Sequence, residues 1–99
     1  MHISGSCDER LATVREAFAG NFDDGDTTDV GAAVAVTIDG ELVVDLWAGS
    51  MVGDDGADRP WAADTIINVW SMTKTVSALA CLVLADHGEL DLYAPVYKF

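Results

Sequence analysis

Asp39-Gly40 constrains this chain more than any other pair of residues, because it separates two β-rich runs, residues 30–38 and 41–48. Asp-Gly tolerates the left-handed backbone that a two-residue turn demands at both central positions, so the two runs are expected to form an antiparallel hairpin. In the simplest register Ile38 stands opposite Glu41, Val36 opposite Val43, Val34 opposite Asp45 and Ala32 opposite Trp47. Thr37 with Leu42, Ala35 with Val44 and Ala33 with Leu46 point to the other side. Both faces are then mostly apolar. A hairpin of that kind needs cover on both sides, which places it inside an α/β (α+β) architecture, a helix-sheet-helix sandwich. The alanines of the first run leave room for a closely packed helix.

Two helices are expected to supply the cover. Ser6-Cys7-Asp8-Glu9 has the form of a capping box, which predicts a helix starting near Cys7. Leu11, Val14, Phe18 and Phe22 follow at three- and four-residue steps with Arg10 and Glu16 between them, giving that helix one buried stripe. Residues 21–29 end it. Their acidic part, Asp23-Asp24-Gly25-Asp26-Thr27-Thr28-Asp29, alternates oxygen ligands with glycine as a calcium loop does, but it lacks the closing glutamate and reads as a solvated loop. The second helix carries Ser71 and Lys74 and continues through Val76, Leu79, Leu82, Val83 and Leu84 to Gly88, its C′ residue. It is apolar on most sides, and a helix of that kind is expected to be central and packed all round. His87 at its end reads as an exposed residue that complements the helix dipole. Residues 49–63 read as an irregular connection anchored by Trp61, and residues 90–96 as an extended exit segment.

Ser71-Met72-Thr73-Lys74 is the one stretch with chemistry built into its spacing. Residues three apart share a helix face. The lysine amine can therefore reach the serine hydroxyl, and a serine becomes a useful nucleophile when a neighbouring base takes its proton. For a lysine to serve as that base its amine must be neutral, which burial of the charged form favours. This chemistry needs no cofactor. Cys7 and Cys81 show no metal-ligand spacing and read as reduced thiols, Cys81 as a small core residue.

Charge narrows the partners. Seventeen acids against five bases give a net charge of −12 and a pI near 4.1, a balance that repels phosphate backbones and excludes nucleic acid as an expected partner. With 51% apolar residues and three tryptophans, the 99-residue chain can build one modest core. Its longest apolar run, residues 78–85, is too short to span a bilayer. Residues 1–7 have neither a basic start nor an apolar stretch, so the expected setting is cytoplasmic.

The order of these features carries a resemblance. Helix, Asp-Gly hairpin, loop, Asp64-Thr65, Ser71-Met72-Thr73-Lys74, apolar helix, Gly88-Glu89-Leu90-Asp91-Leu92 and Ala94-Pro95-Val96 together look like the start of the serine β-lactamase-like and penicillin-binding-protein superfamily. Within it, the chain resembles the class C β-lactamase-like esterases, also called family VIII carboxylesterases, from about Cys7 onward. The resemblance implies that Ser71 is the acyl-enzyme nucleophile, that Lys74 is its general base, and that the Ser71 amide supplies half of an oxyanion hole. It implies a small ester or amide substrate. Asn68-Val69-Trp70 and Met72-Thr73 look esterase-like, with β-lactamase or D-Ala-D-Ala peptidase activity as the alternatives inside the family.

The family's later Tyr-x-Asn and Lys/His-x-Gly motifs do not occur between Lys74 and Phe99, and neither Tyr93 nor Tyr97 is followed by asparagine two residues on. Residues 1–99 are therefore expected to be the N-terminal portion of such a hydrolase domain, truncated, with an uncovered sheet through which chains could self-associate. The alternative from a different class is an inactive fragment or a small binding module.

Overall fold

The computed structural model describes residues 2–23 and 29–99, which belong to two compact units, Met1–Thr65 and Ile66–Phe99. Apart from its two ends, the acidic stretch read above as a solvated loop lies outside the described residues. Helices and antiparallel strands are mixed, as expected for part of a β-lactamase-like fold. No helix among the described residues is long and apolar enough to cross a membrane.

Among the described residues the first unit is an antiparallel sheet with one α-helix. Strands β1 (Ile3–Cys7), β2 (Gly31–Ile38) and β3 (Glu41–Val52) lie in the order β1-β3-β2, and β4 (Asp58–Pro60) pairs with the end of β3. Helix α1 (Ala12–Gly20) follows a 3-10 turn, Glu9–Leu11. The expected hairpin is present, with Asp39 at φ 51° and Gly40 at φ 81°, the left-handed pair of a type I′ turn. Its register differs from the simplest one. Ile38 opposes Glu41 and Thr37 opposes Leu42, but a bulge then shifts the pairing, so Val36 meets Val44, Val34 meets Leu46 and Ala32 meets Ala48. The extra residue, Val43, turns its carbonyl to the Asp8 N–H at 2.8 Å.

That one-residue shift decides which side chains form the core. Val44 and Leu46 are completely buried and Ala48 nearly so. Phe18 and Phe22 of the α1 region close over them, edge to face at 5.4 Å, with Ile3, Cys7, Leu11, Val14, Ala32, Val34 and Val36 packed around. On the other face Ala33 and Ala35 are exposed.

Three further expectations for this unit are corrected. Helix α1 does not begin near Cys7, because Ile3, Gly5 and Cys7 face Ala48, Leu46 and Val44 across a strand pairing. Asp8 caps the 3-10 turn that leads into α1, its carboxylate accepting the Arg10 backbone N–H at 2.9 Å, and α1 itself starts at Ala12 with no side-chain cap. β3 runs four residues beyond Ala48, and the connection after it holds β4, opposite Ser50–Val52. Trp61 does anchor this connection: its backbone N–H donates to the Gly49 carbonyl at 2.9 Å, and its ring lies where a Cβ on Gly31 would stand.

The second unit holds a 3-10 turn, Trp70–Met72, then helix α2 (Thr73–Asp86), and ends in a 3-10 turn, Val96–Lys98. α2 closes as the sequence predicts. The Gly88 N–H bonds to the Ala85 carbonyl at 3.0 Å and the Glu89 N–H to the Leu84 carbonyl at 2.9 Å, a Schellman pair with Gly88 at φ 75°. The exit segment is turned rather than extended, because the Asp91 carboxylate takes the Tyr93 N–H at 2.9 Å. The expected burial of α2 is not met: none of its residues is buried, Val76 and Leu79 are 65% and 61% exposed, and Cys81 is exposed too. Its apolar residues run around most of the helix, and the turns after Gly88 in the same unit are too few to wrap it.

Two measurements test this account of the first unit. Leu46→Ala deletes a fully buried side chain and is expected to lower unfolding stability by about 2–5 kcal/mol, read by urea denaturation. The second concerns Asp8, which the Arg10 side chain, and then the Arg10 backbone N–H, hold at a pKa of about 2, below the ordinary 3.8. A carboxylate with a depressed folded-state value stabilises fully above its unfolded pKa and loses that stabilisation as pH falls towards the folded one. The urea midpoints of wild type and Asp8→Ala should therefore differ most above about pH 4 and converge towards about pH 2. A gap that stays constant over that range would remove the Arg10 pairing from the account.

Candidate active site

Ser71 and Lys74 are brought together at the head of α2. Ser71 lies in the Trp70–Met72 3-10 turn and Lys74 is the second residue of α2, so the pair bridges the junction of the two helical forms. In a 3-10 turn residues three apart eclipse each other, which shortens the reach between them. Lys74 Nζ donates to Ser71 Oγ at 3.0 Å. One turn further on, the Ser77 hydroxyl donates to the Thr73 carbonyl at 3.1 Å and faces the same side. Trp70, Ser71, Thr73, Lys74 and Ser77 line an open depression of about 470 Å³.

The backbone entering this turn is unusual. Trp70 has φ 48°, one of two non-glycine residues with positive φ among the described residues; the other is Asp39 in the hairpin turn. A bulky residue in that region costs on the order of 1–3 kcal/mol unless its surroundings hold it there. Two hydrogen bonds bracket it. Asn68 Oδ1 accepts the Trp70 N–H at 3.0 Å, and the Val69 carbonyl accepts the Met72 N–H at 3.0 Å. From sequence, Asn68 and Trp70 stand out only as neighbours of the serine. The signal for more was there, since asparagine commonly bonds the backbone N–H two residues on.

Burial is where the site departs from expectation. Ser71, Lys74 and every other lining residue are exposed, so the burial expected around Lys74 is not provided by the described residues. His87 is the exposed C-cap of α2, about 20 Å along the helix axis from Lys74. Tyr93 and Tyr97 are exposed as well.

Comparison with known proteins decides the family. Residues 18–99 match the Beta-lactamase family. The chain belongs to it. Over 98% of its length it is 40% identical to a protein of Mycobacterium tuberculosis named Esterase/beta-lactamase LipL. Over 71% of its length it is 40% identical to Esterase EstB of Burkholderia gladioli. It spans 22% of the first relative and 17% of the second. Both relatives carry esterase in their names, and the first carries beta-lactamase as well.

Proposed function

We propose that this chain carries the nucleophile and base of a carboxylesterase-like serine hydrolase that cleaves small acyl esters. The 3.0 Å contact between Lys74 Nζ and Ser71 Oγ, in a chain of the Beta-lactamase family, carries the reading. In the reaction neutral Lys74 takes the Ser71 hydroxyl proton, Ser71 Oγ attacks the ester carbonyl, and the alcohol leaves with a proton returned by Lys74. Water then releases the acid from the Ser71 ester and regenerates the hydroxyl. Unpaired amides at the head of a helix favour the negative charge that develops on the carbonyl oxygen, and the Ser71 amide is the candidate for that role. Esterase activity is preferred to β-lactamase activity because both relatives' names include it; the double name of the mycobacterial protein keeps lactam hydrolysis as the second reading.

The openness of the depression favours one further reading, in which the 99-residue chain by itself binds or turns over nothing and Ser71 and Lys74 act only where the helix is covered. Labelling with a fluorophosphonate together with hydrolysis of p-nitrophenyl acetate separates these readings. Covalent labelling that disappears in Ser71→Ala is expected, and labelling that survives this substitution would refute the nucleophile assignment. Lys74→Ala is expected to slow labelling at neutral pH by about 10²–10⁴-fold, the usual contribution of a positioned acid or base. Its α-helical circular dichroism should stay unchanged, since the side chain is exposed. Undiminished labelling would remove Lys74 from the mechanism.

A further inference from the structure

The backbone and the lining of the depression coincide at one residue. Trp70 is the only aromatic side chain among the five that line the depression; the others are Ser71, Thr73, Lys74 and Ser77. Trp70 is 79% exposed, so a flat apolar surface beside a polar nucleophile is left open to whatever enters. An L-residue in the left-handed region projects its side chain differently from one that continues the right-handed turn, so the φ of 48° helps set where the indole stands. Asn68 Oδ1 holds that conformation through the Trp70 N–H.

We infer that Trp70 is the specificity-determining wall of the substrate depression, selecting esters with an apolar acyl group, and that Asn68 is the residue that positions it. This rests on the reading of Ser71 as the acyl acceptor. An acyl chain attached at Ser71 Oγ starts next to the indole. Each methylene that leaves water against the ring gains free energy in proportion to the area buried. Acetyl is too short to cover the ring, whereas butyryl adds two methylenes that can. Asn68 touches no part of such a substrate and acts only through the backbone of Trp70.

The test compares kcat/KM for p-nitrophenyl butyrate and p-nitrophenyl acetate, together with the intraresidue HN–Hα contact of Trp70 in NMR spectra, which is short only for left-handed backbone. Trp70→Ala is expected to lower the butyrate-to-acetate ratio by up to roughly tenfold, the scale of burying two methylenes. Asn68→Ala should lower the same ratio and lose the short HN–Hα contact. Asn68→Asp, which keeps an acceptor oxygen at the same place, should restore both. A ratio unchanged in Trp70→Ala overturns the specificity role, and a left-handed Trp70 surviving in Asn68→Ala overturns the positioning role. The Ser71→Ala protein separates these failures from failure of the hydrolase reading: there the Trp70 indole resonance should shift more with p-nitrophenyl butyrate than with the acetate. Equal or absent shifts overturn the inference whether or not the wild type turns over.

Discussion

β3 is the strand on which the first unit depends. It is hydrogen-bonded on both sides over residues 44–48, to β1 and to β2, and its inward residues Val44, Leu46 and Ala48 form the floor of the core. A strand paired on both edges has its backbone donors and acceptors satisfied, so it can be buried without the cost of stranded polar groups. The bulge at Val43 serves the same end. By adding one residue it turns Val44, Leu46 and Ala48 onto the side where Phe18 and Phe22 wait, and it moves Asp45 and Trp47 off that side. The freed Val43 carbonyl then binds the Asp8 N–H, which fixes where β1 stops and the path to α1 begins.

This bulge is also where reading the sequence stopped short. Asp39-Gly40 announces a hairpin because few pairs accept two consecutive left-handed residues, and the turn formed as expected. Nothing in the run Leu42-Val43-Val44 marks an extra residue, since all three side chains are apolar and either register buries something greasy. β1 was hidden for a related reason. Ser6-Cys7-Asp8-Glu9 fits a capping box, yet Ile3 and Cys7, four apart, also fit a strand with two inward residues, and only a partner strand could settle the choice. The side-chain cap stands two residues on, at Asp8, and serves the 3-10 turn before α1. The end of α2 was legible because Gly88 satisfies a local backbone requirement that tertiary context does not alter.

α2 shows the opposite limit. Its apolar circumference correctly marks it as a helix, and its periodicity says that it needs cover on most sides, but the second unit holds too little chain to provide that cover. The chain spans about a fifth of the relatives it matches, and the apolar side chains of α2 stand exposed. The candidate site has the same division. The pairing of Ser71 with Lys74 is local, set by three residues of spacing and a 3-10 turn, and could be read directly. The burial that a lysine base calls for is not local and could not.

The direction of one hydrogen bond makes the consequence concrete. Lys74 Nζ donates to Ser71 Oγ at 3.0 Å. The proposed catalysis uses the same two atoms at the same distance with the proton travelling the other way, from Oγ to a neutral amine. No rearrangement of α2 is needed for that reversal, because the spacing already delivers the contact. What must change is solvation. Water around an exposed amine stabilises its charged form, and taking that water away favours the neutral one. The backbone of the Trp70–Met72 turn thus supplies the geometry, while a cover over the head of α2 would supply the driving force. The two can be separated experimentally because only the first is written in residues 68–77.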